Sequence, residues 1–324
     1  MNRRSLCLAA AATALAVPLA GCVTVHGERA DIASVRPAEA AEVLANFAKV
    51  NNAATKAYDE SLVAEIEAGA LGAIDEAGVR AKHANHPEGN ASFTPLAFSD
   101  SRFLVPRQRG WPKFFVADTA TNRGGDSRWL LVFRRFTAGD PWKASFLAVM
   151  APDALPALAT DKDGLVEALP AAGTDLLVQP GRLSTAYTSY LQQAPAAPVF
   201  ADGPATSELL AGRDKNRRTA NSVTQYADQP ADGGDFTPVA LRTRSGGALV
   251  LFASRHQTRA TYREGYQLSI DQDTKALMTG TPRTSVTLSR MSQQAATVPA
   301  RSAGPDAKTA VLSRLAGLVS ATGA

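Results

Sequence analysis

The chain has 324 residues, of which 45% are hydrophobic and 20% are charged, and its formal net charge is +4. This apolar fraction is typical of globular proteins and excludes a chain that is disordered throughout. Two cysteines and four histidines exclude a disulfide-rich scaffold and a four-thiolate metal site. The length accommodates one large domain or two of ordinary size.

The chain begins with the positively charged segment Met1–Arg4, and an uncharged apolar stretch from Ser5 to Pro18 follows. This arrangement is typical of a secretory signal peptide, and the stretch is shorter than the roughly 20 apolar residues that span a bilayer. The next residues are Leu19-Ala20-Gly21-Cys22. We predict a signal peptide over residues 1–21 and a mature chain that starts at Cys22; the alternatives are an uncleaved anchor and an ordinary secreted protein that is cleaved elsewhere.

The tetrapeptide Leu19-Ala20-Gly21-Cys22 resembles the lipobox of bacterial lipoproteins. The resemblance implies that Cys22 receives a diacylglycerol thioether and that the lipid holds the protein at the extracytoplasmic face of the cell membrane. Two or more acyl chains give stable anchoring. Alanine is abundant, and 25 arginines stand against 9 lysines, which indicates a high-GC genome. With the lipobox, this composition resembles that of actinobacterial cell-surface lipoproteins.

Removal of the leader changes both the charge and the thiol content of the mature chain. Without Arg3 and Arg4 the formal charge is +2, which argues against a nucleic-acid partner. Cleavage also removes Cys7, and acylation uses Cys22, so the mature protein has no free thiol. Thiol catalysis and disulfide bonds are thereby excluded.

The first half of the mature chain has helical patterns followed by strand patterns. After a polar tether over residues 22–36, a helix is predicted to begin at Pro37, a second near Asp59, and a third over residues 74–84. Gly69 and Gly72 predict a break between the last two. Short turns rich in Gly, Asn and Asp join four predicted strands, which favours an antiparallel meander; these are residues 93–105, 111–119, 128–136 and 142–150. We predict an α+β domain over residues 37–151.

The second half repeats this order of elements. Residues 152–180 are rich in Pro, Ala and Asp and are predicted to be a linker, and residues 181–324 a second α+β domain. Helices are predicted over residues 183–192, 214–225 and 306–320. Strands are predicted over residues 236–244, 248–255, 262–270 and 285–294.

A short internal similarity connects the halves. Phe93-Thr94-Pro95-Leu96-Ala97 matches Phe236-Thr237-Pro238-Val239-Ala240, and each copy opens a set of predicted strands. The match indicates a tandem repeat, with a chance match as the alternative. Two modules of helices followed by a curved antiparallel sheet resemble the cone-shaped fold of NTF2-like and SnoaL-like domains. That resemblance implies a cavity inside a module.

The sequence contains no G-x-S-x-G, S-x-x-K, H-E-x-x-H, Walker A or G-x-G-x-x-G motif, so we expect no cofactor and assign no catalytic residue. An enzyme whose site comes from scattered residues stays open. His83 and His86 with Glu88 nearby have a spacing that can bind a metal, but Pro87 and Gly89 favour a solvated helix end. Residues 161–164 and 271–273 are interpreted as turns.

Three further sets of residues have a functional and a structural interpretation. A SnoaL-like enzyme needs an acid or base in its cone, for which the early candidates are Asp59, Asp75, Asp118 and His83. Seven aromatic residues form either a core or a ligand pocket: Trp111, Phe114, Phe115, Trp129, Phe133, Trp142 and Phe146. The basic residues Arg213, Lys215, Arg217 and Arg218 are interpreted as a solvated helix face rather than as a site for envelope polyanions.

The sequence thus predicts a lipid-anchored extracytoplasmic protein with a binding or scaffold role. Its expected partners are the membrane, through Cys22, and an envelope protein or a small apolar ligand. The alternatives are a SnoaL-like enzyme and a small-molecule carrier. A cavity lined by a buried Asp or His favours the enzyme, a purely apolar cavity favours the carrier, and filled cones with a broad apolar surface favour the scaffold.

Overall fold

The computed structural model describes residues 30–193 and 200–324. Its helices are α1 (Pro37–Ala57), α2 (Glu60–Ile66), α3 (Gly69–Asn85), α4 (Leu183–Leu191), α5 (Ser207–Arg217) and α6 (Gln272–Ala276). Its strands are β1 (Ile32–Ala33), β2 (Phe98–Leu104), β3 (Pro106–Gln108), β4 (Lys113–Thr121), β5 (Arg128–Arg135), β6 (Lys143–Met150), β7 (Val166–Leu169), β8 (Ser222–Ala231), β9 (Val239–Arg242), β10 (Ala248–Tyr262), β11 (Met278–Gly280), β12 (Ser285–Val298) and β13 (Ala310–Gly323). The prediction of an α+β fold is confirmed.

The helices of the first half begin where their sequence signals lie. Pro37 occupies the first turn of α1, and the side chain of Asp59 caps α2 by accepting a hydrogen bond from the backbone N–H of Ser61 at 2.9 Å. The expected break between the second and third helices is present at Glu67 and Ala68, but it ends earlier than predicted, because α3 starts at Gly69 and includes Gly72.

The predicted antiparallel meander of the first half is confirmed as a four-stranded sheet with the order β2-β4-β5-β6. Strand β5 lies between two partners and buries apolar side chains on both faces, as its unbroken apolar sequence predicts. Register shifts interrupt the β2–β4 and β5–β6 pairings.

A larger sheet contains nine strands, eight of which follow the order β1-β3-β7-β9-β10-β12-β13-β11. The ninth strand, β8, pairs with β10. The long strand β10 pairs with β9 along its first part and with β8 along the remainder. Helices α4 and α5 pack against β8, and Tyr187 of α4 lies among the buried side chains of β10.

Three predicted elements of the second half were wrong. Residues 306–320 form most of β13 rather than a helix, and α5 ends at Arg217 so that β8 begins within the predicted helix 214–225. Residues 263–270 are not a strand, since β10 ends at Tyr262. The apolar residues of β13 have a helix-like spacing because two register shifts against β12 interrupt the strand pattern in which every second side chain lies on the same face.

The predicted linker 152–180 contains paired and buried structure. Strand β7 joins β3 to β9, and the side chains of Leu158 and Leu176 are buried. One apolar cluster also contains residues of both predicted domains, such as Val132, Phe146 and Leu249. The two-domain division stays a prediction, and this shared core argues against independent folding of the halves.

Side chains of the larger sheet cover the free edge of β6. The backbone N–H of Leu147 donates to Gln293 Oε1 at 2.8 Å, and that of Val149 donates to Ser313 Oγ at 3.1 Å. An edge strand exposes unpaired backbone groups, so these two contacts satisfy donors that would otherwise be buried without a partner.

Candidate functional site

A cavity of about 380 Å³ lies between helices α1–α3 and the four-stranded sheet. Phe47 of α1 and Trp129 of β5 supply aromatic side chains to its wall, and Leu71 of α3 adds an apolar one. Gly78 and Lys82, which also line it, are exposed and therefore mark its mouth. The volume is at the lower end of the range for small-molecule sites.

Two carboxyl groups lie beside one another at this cavity. Asp75 of α3 is half-buried and lines it, while the side chain of Glu67 is only 2% exposed. The two groups are within hydrogen-bonding reach of each other, and no donor of the described residues reaches either oxygen of Glu67. A hydrogen bond between two carboxyl groups requires a proton, so the pair can form one only when at least one of the two groups is protonated.

The connection between α2 and α3 places Glu67 in the interior. Its backbone forms a bridge with Ala144 of β6, and the next N–H, that of Ala68, donates to the Ala144 carbonyl at 2.9 Å. Gly69 follows with φ +59°, and a Cβ there would lie 2.5 Å from the carbonyl oxygen of Asp235. Only glycine allows the chain to pass so closely at this conformation.

Burial changes the protonation of the acid pair. It raises the pKa of Glu67 well above its usual value, and the neighbouring Asp75 raises it further. Burial also raises the pKa of Asp75 to about 6, while the hydrogen bond with Glu67 acts in the opposite direction. Both shifts favour retention of a proton by the pair, and Glu67, whose pKa is raised by burial and by its neighbour together, is the favoured holder.

The polar groups at the cavity include a second acceptor. The buried Oδ1 of Asn51, on α1, has no hydrogen-bond partner among the described residues. Two cations also line the cavity, but each has another partner. Lys82 Nζ lies 2.6 Å from Asp273 Oδ2, and Arg123 donates to the carbonyl of Thr94 at 3.0 Å.

The second half contains a different polar cluster, in which His256 Nδ1 lies 2.5 Å from Asp228 Oδ1 and Nε2 lies 2.6 Å from Ser292 Oγ. The Arg213 guanidinium donates two hydrogen bonds to Asp228, at 2.6 and 2.7 Å. Ser254 lies 3.0 Å from His256 Nε2, and Gln294 donates to both serines.

This order of carboxylate, imidazole and hydroxyl resembles that of a serine-hydrolase triad, but neither hydroxyl is accessible, although His256 lines a small depression of about 170 Å³. Ser254 and Ser292 are fully buried, so an acyl substrate has no access to either hydroxyl in this conformation. A surface depression of about 360 Å³ is lined by Arg213 and Tyr226 but by neither serine. The network fills the interior of this half and connects β8, β10 and β12.

Burial sets the pKa of His256 below its usual value, although the hydrogen bond to Asp228 opposes the effect. Burial acts to raise the pKa of Asp228, but hydrogen bonds from Arg213 and His256 outweigh this effect and lower its pKa below the usual value. The expected protonation states are an ionised Asp228 and a neutral His256.

Of the sequence-predicted acid–base candidates, the structure brings only Asp75 to the cavity wall. Asp59 caps α2 and is bonded to Ser61. Asp118 is buried in ion pairs with Arg128 at 2.5 Å and Arg102 at 2.8 Å. His83 is exposed and lines a separate surface depression with Asp59.

The other predicted sets divide in a similar way. Of the seven aromatic residues, Trp129 lines the cavity, whereas Phe115, Phe133 and Phe146 are core residues. The solvated-face interpretation was wrong for Arg213, which is 8% exposed and paired with Asp228. His86 is exposed and lies 3.6 Å from Glu88, and the described residues contain no group of three ligands that could hold a metal.

Sequence reasoning missed Glu67, since its place beside polar residues of α2 suggested a solvated face. It also missed Asp228, His256 and Ser292, which lie far apart in the chain and form no motif. Cys22 lies outside the described residues. Within residues 30–193 and 200–324, no helix has the length and apolar character needed to cross a membrane.

Comparisons with known proteins place the chain in a sequence family. It is 44% identical over 317 residues to the uncharacterized lipoprotein SCO2278 of Streptomyces coelicolor, an alignment that covers 98% of this chain and 94% of that protein. It is also 44% identical to an uncharacterized lipoprotein of Streptomyces avermitilis, with 97% and 93% covered. A second Streptomyces coelicolor lipoprotein, SCO6871, is 28% identical over 93% of this chain and 90% of its own length.

No solved structure gives a significant match to the chain. The model of a family described as a domain of unknown function, DUF8094, matches residues 34–324. That match includes α1–α6, the cavity with its acid pair and the buried network of the second half. The chain belongs to the DUF8094 family.

Proposed function

We propose that this protein is a lipoprotein anchored through Cys22 at the extracytoplasmic face of the membrane, and that its first-half cavity binds a small molecule. The observation behind the binding role is the cavity itself, which has aromatic walls and polar groups without protein partners. The names of the relatives and the lipobox-like Leu19-Ala20-Gly21-Cys22 support the anchor.

The proposal includes a relationship to NTF2-like domains. In the first half, α1–α3 precede a four-stranded antiparallel sheet; in the second half, α4 and α5 precede a sheet of long antiparallel strands. This order supports two NTF2-like modules. The cavity lies between the helices and the sheet of the first module, where the resemblance implies one.

A scaffold role has less support from the surface. The large apolar side chains that are exposed in the described part of the chain are Ile32, Val223 and Tyr266. Three such residues do not make a broad apolar docking face.

Acid–base catalysis in the same cavity is the second candidate function. The raised pKa of Asp75, about 6, is near the pH at which a general acid or base works best. Turnover of a bound ligand that Asp75→Asn abolishes without loss of binding would favour the enzyme over a carrier.

Gly78 offers a direct test of the binding role, because a Cβ added there meets no atom within 4 Å and the residue lines the cavity. We expect Gly78→Trp to block the mouth and Gly78→Ala to leave it open. A fragment library is screened by thermal shift against both variants and the wild type. Fragments should stabilise the wild type and Gly78→Ala but not Gly78→Trp; an absence of hits, or hits that persist in Gly78→Trp, would contradict the proposal.

The anchor is tested by Cys22→Ser. Without the thiol that accepts the lipid, we expect the protein to move from the membrane fraction to the soluble fraction and to lose metabolic labelling by a fatty acid. Ser5→Ala serves as a control within the leader and should leave both unchanged. Membrane retention with unchanged labelling of Cys22→Ser would refute the anchor.

A further inference from the structure

We propose that the ligand of the first-half cavity is an organic cation, with a protonated amine that binds Asp75 and Asn51 and an aromatic or apolar body that lies between Phe47 and Trp129. This inference rests on the proposed binding function and names the chemical class of its ligand.

The first argument is the excess of acceptors at the cavity. The carboxylate of Asp75 and Oδ1 of Asn51 both line it, and Oδ1 has no donor among the described residues. The described residues give Asp75 no ion pair, and its neighbour is a second carboxyl group, that of Glu67. An acceptor without a donor, Asn51 Oδ1, beside a carboxylate without a cation partner favours a ligand that donates hydrogen bonds.

The second argument is charge. An ionised carboxylate in a half-buried position is costly unless a cation or several donors accompany it. Lys82 pairs with Asp273, Arg123 donates to a backbone carbonyl, and neither cation of the lining forms an ion pair with Asp75. An ammonium group would supply both the missing charge and up to three donors.

The third argument is the shape and chemistry of the walls. Phe47 and Trp129 present aromatic rings, and the faces of such rings attract cations as well as apolar groups. Leu71, Leu131 and Leu147 complete an apolar surface. A volume of about 380 Å³ accommodates a body of one or two rings rather than a large ligand.

The test compares ligands that differ only in the polar group. The Cys22→Ser protein keeps the whole mature chain without the lipid, and it is titrated by calorimetry at pH 7.5 with 2-naphthylmethylamine, 2-naphthylmethanol and 2-naphthoate, and with the corresponding benzyl compounds. We expect the amine to bind about tenfold or more tightly than the alcohol, since a hydrogen bond to a charged partner is stronger than a neutral one. The carboxylate should bind most weakly.

Variants assign this preference to Asp75. Asp75→Asn should abolish the preference for the amine, and Glu67→Gln should retain it, because the Gln amide can still donate to an ionised Asp75. Glu76→Gln is the matched control: it removes an acid from the adjacent position of α3, which lines a different depression. It should leave all affinities unchanged.

Equal affinities for amine and alcohol, a preference that survives in Asp75→Asn, or no amine binding with either ring size would overturn the inference. The proposed binding function is judged separately. Neutral fragments that bind the wild type and Gly78→Ala but not Gly78→Trp would support the proposed binding function of the cavity, even if the protein showed no preference for the amine.

Discussion

Each half of the chain buries a carboxylate between helices and a sheet, but the two have opposite surroundings. Asp228 receives two hydrogen bonds from Arg213 and lies 2.5 Å from His256, which together lower its pKa. Asp75 has another carboxyl group, Glu67, as its neighbour, and its pKa is raised to about 6. One acid completes a closed network, whereas the other lines a cavity and has no ion-pair partner among the described residues.

This difference separates a structural role from a binding role. A buried charge with all its partners stabilises one arrangement of the surrounding elements, and removal of one partner leaves the others unpaired. An acid pair without an ion-pair partner lowers the stability of the folded protein. Such a pair is most readily retained where a bound ligand supplies the missing interaction. The comparison therefore favours the first half as the location of the proposed binding site.

The largest expected effect is that of Asp228→Asn. The change leaves the buried guanidinium of Arg213 without its counter-charge, so we expect a loss of about 3–5 kcal/mol in the free energy of unfolding, measured with urea. Glu60→Gln, which removes an exposed pair with Arg80, is the control and should cost less than about 1 kcal/mol. Similar losses in the two variants would show that the second-half network is not structural.

A smaller effect of opposite sign is expected for Glu67→Gln. The pKa values of Glu67 and Asp75 are raised in the folded state, so the folded chain binds more protons than the unfolded chain over a window that opens near pH 4 and extends beyond pH 6. The wild type therefore loses stability as the pH rises through this window, and the variant loses less. At pH 8 we expect Glu67→Gln to be more stable than the wild type, because the variant has no carboxyl group that must stay protonated in the folded state.

The measurement is urea unfolding at pH 4.5 and at pH 8. The stabilisation should shrink at the lower pH, where the wild-type pair is protonated. Glu42→Gln removes an exposed acid of α1 and should show no such dependence on pH. If the difference in unfolding free energy between Glu67→Gln and the wild type did not change with pH, the protonation of the acid pair would not affect stability, which would contradict the prediction.

The smallest effect is that of Gly78→Ala. In the interior of α3 the change should stabilise the protein by about 0.5–1 kcal/mol, since alanine restricts the unfolded chain more than glycine does and its methyl group meets no atom. Gly212→Ala in α5 is a matched control, as a Cβ there also meets no atom. A large destabilisation by Gly78→Ala but not by Gly212→Ala would mean that the cavity mouth has a different shape.

The first half could be predicted from the sequence because its signals are local. Pro37 and Asp59 mark helix starts, and the turns between β4, β5 and β6 are short and rich in Gly and Asp. In the second half, strand β13 was predicted as a helix because its register shifts against β12 depend on a partner strand that no local pattern identifies. The pairing of both β8 and β9 with the long strand β10 likewise depends on tertiary contacts that no local pattern identifies.

The candidate site was predictable only in part. Asp75 was named as an acid in helical sequence, and Trp129 as one member of an aromatic set. The cost of burying Glu67 depends on a contact with β6 that lies 77 positions away in the chain, at Ala144. Burial and hydrogen-bond partners decide whether an acid is a cap, as with Asp59, an ion pair, as with Asp118, or a candidate ligand-binding group.

The most direct test is a crystal structure of the protein with 2-naphthylmethylamine. The account predicts the ring between Phe47 and Trp129, with the nitrogen within hydrogen-bonding distance of the Asp75 carboxylate and Asn51 Oδ1. A ligand bound in the second half beside His256, or an amine directed away from Asp75 toward the mouth of the cavity, would contradict it.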